Sequence, residues 1–250
     1  MPSSTGHQKF GRRVESYYTF DGVDTDDHGH GTHVAGIAGA ETFGVAQGAN
    51  IISMRVFGVD NGATEHLLAA IDKMIKRHEV HKKSDSFRGS VATMSNRVEE
   101  GGDPDGGIDN IIKRAVDLGI HFAVAAGNDG RKACDYSPAR LHPDTAIVTV
   151  GAIDERDKRL PSSNFGDCVA IYAPGFDIVS TSIGSDTATK VRQGTSTACP
   201  HVAGLMAVFL AKEESLRLKP SKLKEKILEM AVKNEGGLLL IANNGKKQGN

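Results

Sequence analysis

Apolar positions along this chain repeat with two alternating periods, and that alternation sets the fold class. Ala49 to Phe57 carries Ile51, Ile52, Met54 and Val56 in a short apolar run that reads as a buried strand. From Glu65 the period lengthens, and Leu67, Leu68, Ile71, Met74 and Ile75 fall on one helical face. His78 to Arg88 is dense in charge and reads as a solvated loop. Gly89 to Ser95 reads as a second strand and Ile108 to Leu118 as a helix with Ile111, Ile112, Ala115 and Val116 inward, closed by Gly119. Ile120 to Ala126 is apolar on both faces, the pattern of a parallel strand covered by helices on either side.

Thr32 to Ala40 is a helix of small residues suited to close packing, and Val202 to Leu210 is apolar almost throughout. Strand-like runs fall at Thr145 to Ala152, Cys168 to Tyr172 and Asp177 to Ser182. A last amphipathic helix spans Ser221 to Lys233, with Leu223, Ile227, Met230 and Ala231 on one face. The first twenty-odd residues read as polar and irregular, with Tyr17, Tyr18 and Phe20 the only anchors, and residues 1–9 are expected to be disordered. Strand and helix alternate, so the fold class is α/β with a mainly parallel sheet. Right-handed crossovers place the strands' C-terminal ends, and hence a site, along one edge. No internal repeat or linker interrupts the pattern, and residues 1–250 read as a single domain.

Composition narrows the partners. The chain has 250 residues, 39% hydrophobic and 24% charged, enough to bury a core without covalent staples. A formal net charge of -1 gives no reason to expect nucleic acid or an acidic membrane surface as partner. No run is long enough for a membrane span, and the N-terminus lacks the apolar core of a signal peptide. The 3 cysteines, Cys134, Cys168 and Cys199, include no C-x-x-C pair, which argues against zinc and leaves room for one disulfide plus a free thiol.

Three stretches could carry chemistry. In Gly194-Thr195-Ser196-Thr197-Ala198-Cys199-Pro200 a tight turn enters the apolar helix. Pro200 is expected near the helix start, where its missing N–H has no intrahelical partner. The Ser196 hydroxyl then lies at the positive end of the helix dipole. Thr195 or Ser196 could equally serve as a helix cap. In Asp27-His28-Gly29-His30-Gly31-Thr32-His33, His30 can take a proton near neutral pH. The same loop also reads as a metal site of His28, His30 and His33 with Asp26 or Asp27, or as a surface loop without function. In Ala125-Ala126-Gly127-Asn128-Asp129-Gly130, the amide of Asn128 could donate to an oxyanion, although Asn-Asp-Gly is also ordinary turn chemistry.

Taken together, His30-Gly31-Thr32-His33-Val34-Ala35-Gly36, Val124-Ala125-Ala126-Gly127-Asn128, and Gly194-Thr195-Ser196 through Pro200-His201-Val202-Ala203-Gly204 resemble the signature segments of the subtilisin-like serine proteases. The resemblance is nearest to the proteinase K branch and its fungal cerevisin-type members, and runs from about Phe10 to the C-terminus. Tyr136-Ser137-Pro138-Ala139, Ser163-Asn164-Phe165-Gly166 and Ala173-Pro174-Gly175 also fit. The resemblance implies a subtilisin-like three-layer fold and a serine-type endopeptidase. It assigns His30 as general base, Asn128 as side-chain oxyanion donor and Ser196 as nucleophile. Ser95 and Gly62 match the segments that flank an extended peptide substrate, and Cys134 and Cys168 match a disulfide found in some members of the branch. The implied partner is a polypeptide substrate or inhibitor, with the chain acting as a monomer. The relatives are secreted or vacuolar, while this chain carries no address of its own.

The pattern also breaks in places. The family's triad aspartate precedes the histidine by roughly thirty residues on an early strand and holds the imidazole's tautomer. Asp21, Asp24, Asp26 and Asp27 all lie too near His30 to be that residue, so the chain is expected to lack the first strand and to be N-terminally incomplete. This leaves a catalytically inactive, peptide-binding relative as the alternative function, and a histidine-loop metal binder as a remote one. After Ser95 the usual Leu-Gly-Gly-Gly is replaced by Asn96-Arg97-Val98-Glu99-Glu100 before Gly101-Gly102, which is expected to fill or move the specificity pocket. No cofactor is expected. Calcium is the one candidate, but Ala170 stands where proteinase K has a calcium-ligating aspartate.

Overall fold

In the computed structural model, the residues described are 7–19, 25–56, 64–96, 98 and 105–245. Gly62, and most of the segment that follows Ser95, lie outside them. The parallel strands fall into two sheets. β1 (Val14–Thr19) pairs in parallel with β2 (Ile51–Arg55). The larger sheet has the order β3 (Val91–Met94), β4 (His121–Ala125), β5 (Val148–Ile153), β6 (Ile171–Pro174), β10 (Leu240–Ile241), β9 (Val232–Lys233), parallel except for β9. β7 (Ile178–Thr181) and β8 (Thr189–Arg192) form an antiparallel ribbon.

Strand periodicity decides which helix covers which face. Along β4, Ala123 and Ala125 join the core beneath α4 (Thr195–Lys212), together with Val148, Val150, Ala152 and Ile171. Phe122 and Val124 point to the opposite side, onto α2 (Thr64–His81) and α3 (Gly107–Asp117), where Ile71, Ile75, Ile108 and Ile112 are buried. The result is a sheet between two helical layers, and β4 and β5 are buried along their whole length. Burying a side chain of this size contributes roughly 1.5–3 kcal/mol, so this sandwich carries most of the fold's hydrophobic stabilisation. α5 (Pro220–Met230) closes one end through Leu223 and Ile227.

Several expectations need correction. The charged stretch from His78 does not begin a loop, because α2 continues to His81. His78 is buried, and its ring nitrogens meet Ser90 Oγ at 2.9 Å and the Leu118 carbonyl at 3.0 Å, which satisfies a polar group that charge density alone placed in solvent. Residues 14–19 are a strand rather than irregular chain, since β2 supplies the ladder they lack alone. Disorder does not extend over 7–9 either. Gln8–Phe10 is a 3-10 turn, Phe10 is fully buried, and buried His7 bonds the Ala188 carbonyl at 3.0 Å. β8 and β9 have no apolar signature to reveal them; their residues are largely exposed, and ladder partners define them. β10 lies in the apolar run from Leu238 to Ala242, and its Ile241 is buried.

Candidate active site

α1 (His30–Gly39) starts at His30, and Gly29 in the left-handed conformation turns the chain into it. The helix is capped from outside by Asp26. Its carboxylate accepts from Gly29 N at 2.7 Å, His28 N at 3.2 Å, Thr32 N at 3.0 Å and Thr32 Oγ1 at 2.6 Å. Burial pushes the Asp26 carboxyl upward, but these hydrogen bonds outweigh it and hold it below the ordinary value. Asp26 is therefore committed to the helix end. Asp27 pairs with Arg55 at 3.1 Å instead.

The three loop histidines point to different tasks. His33 is buried, with Nε2 placed between the carbonyls of Ile178 at 3.1 Å and Lys190 at 3.0 Å. His28 is exposed, and its ring centroid lies 6.1 Å from that of His30. His30 is partly buried, and its imidazole falls to about 4, first through burial and then through Arg192, His28 and His33, against a weaker upward pull from Asp26. Its ring is neutral at pH 7 and free to accept a proton. Among the described residues no group of three His, Cys, Asp or Glu side chains gathers as a metal site, and Ala170 is buried in the core under α4.

α1 and α4 pack side by side and run the same way. His33 lies beside His201, and further along Gly204 abuts Ala38 and Val45. Their first turns, which carry His30 and Ser196, thus share one end of the pair. The ribbon locks this arrangement, because Ser180 Oγ donates to the His33 carbonyl at 2.9 Å and Thr181 Oγ1 to that of Thr32 at 2.8 Å.

The turn into α4 is braced from every side. Gly194 N donates to the Gly175 carbonyl at 2.7 Å, and Thr197 Oγ1 donates back to the Gly194 carbonyl at 2.8 Å. Neither Thr195 nor Ser196 serves as the N-cap, since Gly194 holds that position without a side-chain bond. Thr195 N donates to Asn128 Oδ1 at 2.8 Å, and Thr195 Oγ1 donates to the same oxygen at 3.2 Å. A backbone N–H can only donate, so the atom it meets must be the amide oxygen, and Nδ2 of Asn128 is left as a donor in an exposed position. Gly194 has φ 120°, and a Cβ there would stand 2.9 Å from Asn128 Oδ1, so this approach requires glycine. Asn164 holds the other side of the same turn. Its Oδ1 accepts from Asp129 N and Arg131 N, both at 3.0 Å, and its Nδ2 donates to the Ala126 carbonyl at 2.9 Å.

Ser196 is partly exposed between buried Thr195 and buried Thr197, which leaves its hydroxyl accessible at the helix start. Ser95 follows β3, and its Oγ donates to the Ser196 carbonyl at 3.0 Å. Pro200 does not sit at the helix start as expected, but in the second turn of α4. Cys199 is fully buried against Thr93, Ser95 and the Met94 carbonyl, and burial pushes its thiol up to about 12. It stays protonated. Cys134 and Cys168 are joined in a disulfide with Cα atoms 5.2 Å apart. Of the segment after Ser95, Val98 is buried and bridges to Ser137 at 3.0 Å.

No local pattern marks Thr195 as the anchor of Asn128, or Arg192 as a neighbour of His30. Arg192 ends β8, reaches the His28 carbonyl through Nη2 at 3.2 Å, and has a buried Nε without a hydrogen-bond partner among the described residues. The only available signal was position, as Arg192 lies just ahead of Gly194.

Comparison with known proteins places these features in a lineage. Residues 3–247 match the model of the subtilase family. The chain is 38% identical over 236 residues to the subtilisin-like serine protease pepC of Aspergillus niger, an alignment covering 88% of this chain and 42% of that protein. It is 40% identical over 224 residues to cerevisin of Saccharomyces cerevisiae, covering 84% of this chain and 34% of cerevisin. The chain thus spans less than half the length of either relative. A crystal structure of a cold adapted subtilisin-like serine proteinase superposes with a TM-score of 0.80 at 34% identity, covering 93% of this chain and 80% of that one. By family model, by sequence and by fold, this chain belongs to the subtilase family.

Proposed function

We propose that this chain is a serine-type endopeptidase domain acting through an acyl-enzyme on Ser196. Ser196 Oγ attacks the peptide carbonyl carbon while its proton passes to the neutral ring of His30. The carbonyl oxygen becomes an oxyanion that accepts from Asn128 Nδ2 and from the backbone N–H of Ser196 at the start of α4. His30 then gives the proton to the leaving amine as the C–N bond breaks, and water hydrolyses the ester by the same route in reverse. The segments at Ser95 and Gly62 flank an extended polypeptide or a polypeptide inhibitor, and the chain works as a monomer. The observation that carries this reading is the Thr195–Asn128 bond, which fixes the amide oxygen and leaves its donor beside the nucleophile's turn. A second reading, a peptide binder without turnover, draws on Asp26 and Asp27 both being engaged away from the His30 ring.

A fluorophosphonate probe separates the two, because it reacts with an activated serine. Stoichiometric labelling that is lost in Ser196→Ala is the expected result. Folded protein that stays unlabelled from roughly pH 6 to 10, where histidine is largely unprotonated, would leave only the binding reading.

A further inference from the structure

In an α-helix, the N–H of residue i+4 bonds the carbonyl of residue i. For Ser196 that donor would be residue 200, and residue 200 is proline. Pro200 is buried inside α4 rather than at its first turn, so the Ser196 carbonyl loses its helical partner in a region shielded from water. The structure supplies a replacement from outside the helix. Ser95 Oγ, at the C-terminal end of β3, donates to that carbonyl at 3.0 Å.

We infer that Ser95 is a positioning residue whose hydroxyl substitutes for the helix hydrogen bond removed by Pro200 and fixes the backbone of Ser196. This deepens the hydrolase reading and rests on it for its link to reactivity. Among the described residues, the other group that meets this hydroxyl is the buried, protonated thiol of Cys199, whose sulfur is only a weak acceptor. The arrangement ties the nucleophile's turn to the central sheet through a strand end. With its oxygen held, the peptide plane that carries the Ser196 carbonyl and the Thr197 N–H cannot tilt, which restrains the Ser196 Cα and the side chain on it. A proline here is thus tolerated because a serine elsewhere in the chain completes the bond.

The test is a double-mutant cycle. Ser95→Ala leaves the Ser196 carbonyl unpartnered, and the rate of fluorophosphonate labelling is expected to fall roughly three- to tenfold, the equivalent of one net hydrogen bond. Pro200→Ala restores a donor within the helix. In that background Ser95→Ala is expected to change labelling less than twofold, because the carbonyl no longer needs it. Two independent single effects that multiply would overturn the inference, as would normal labelling by Ser95→Ala alone. The cycle is also read in the thermal midpoint of the four proteins, which needs no reactivity. If the wild-type protein is not labelled, the hydrolase reading fails, and the midpoints still decide whether Ser95 and Pro200 are coupled.

Discussion

The first turns of α1 and α4 lie at the same end of a packed helix pair, yet they are built on different principles. The α4 turn is held by partners distant in sequence. Asn128, Gly175 and Ser95 each reach it from a different strand end, and its side chains are nearly all buried. In the α1 turn the N–H donors are met locally, while the carbonyls of Thr32 and His33 are held from the ribbon. Asp26, four residues before His30, accepts all its cap bonds from residues 28–32. Among the described residues, Arg192 and the neighbouring rings of His28 and His33 oppose charging of the His30 ring, and Asp26 pulls the other way. The Ser196 half of the candidate site is thus braced by hydrogen bonds from three strand ends. The histidine's half is positioned by backbone, without a carboxylate among the described residues dedicated to orienting the ring. In subtilisin, loss of the orienting aspartate lowers kcat by about 3 × 10⁴ while the rest of the machinery survives.

The contrast can be broken at its strong side first. Asn128→Ala removes the donor that Thr195 positions, and labelling by the fluorophosphonate is expected to slow by about 10²–10³, the range seen when one oxyanion-hole donor is deleted. The thermal midpoint should fall as well, because the N–H and hydroxyl of buried Thr195 lose their acceptor. A large stability loss with unchanged labelling would mean that the amide is only a structural brace.

On the other side, Asp26→Ala is expected to destabilise the protein by about 1–2 kcal/mol, as loss of an N-cap does, seen as a lower denaturation midpoint. The carboxyl is depressed in the folded state. Its contribution is therefore present above the ordinary Asp value and lost as pH falls through the folded one, so wild type and variant should converge in acid. Equal destabilisation at every pH would rule out a charged cap.

The smallest change concerns the ring itself. His30 titrates at about 4, below the ordinary 6.5, so it stays in its base form down through mildly acidic pH. The acid limb of the labelling profile should lie well below pH 6.5. Arg192→Gln removes one cation and should move that limb upward, although burial, the larger cause, remains. An unmoved limb would mean that Arg192 does not feel the ring's charge.

How much of this was legible beforehand varies from element to element. β4 was plain, because a strand buried on both faces must be apolar throughout. The course of α2 past His78 was not, because a buried histidine paired with Ser90 and Leu118 has the same letter as a solvated one. β1 was invisible for a related reason. Its polar and aromatic residues become a strand only when β2 offers a ladder. At the site, local sequence marked the glycine turns around His30, Asn128 and Gly194. It could not say which way the Asn128 amide points, since that depends on Thr195, 67 residues away.

By itself, then, the sequence determined the alternation of strand and helix, the apolar layers and the candidates for reactive side chains, because periodicity and turn chemistry are local properties. Only the tertiary structure decided that Gly194, not a serine or threonine hydroxyl, caps α4. The same holds for Asp26 being spent on a helix end and for the proline in the second turn being answered by Ser95. Each of these is a question of which donor meets which acceptor. Hydrogen bonds are short-ranged and directional, so the answer exists only once distant segments are packed together.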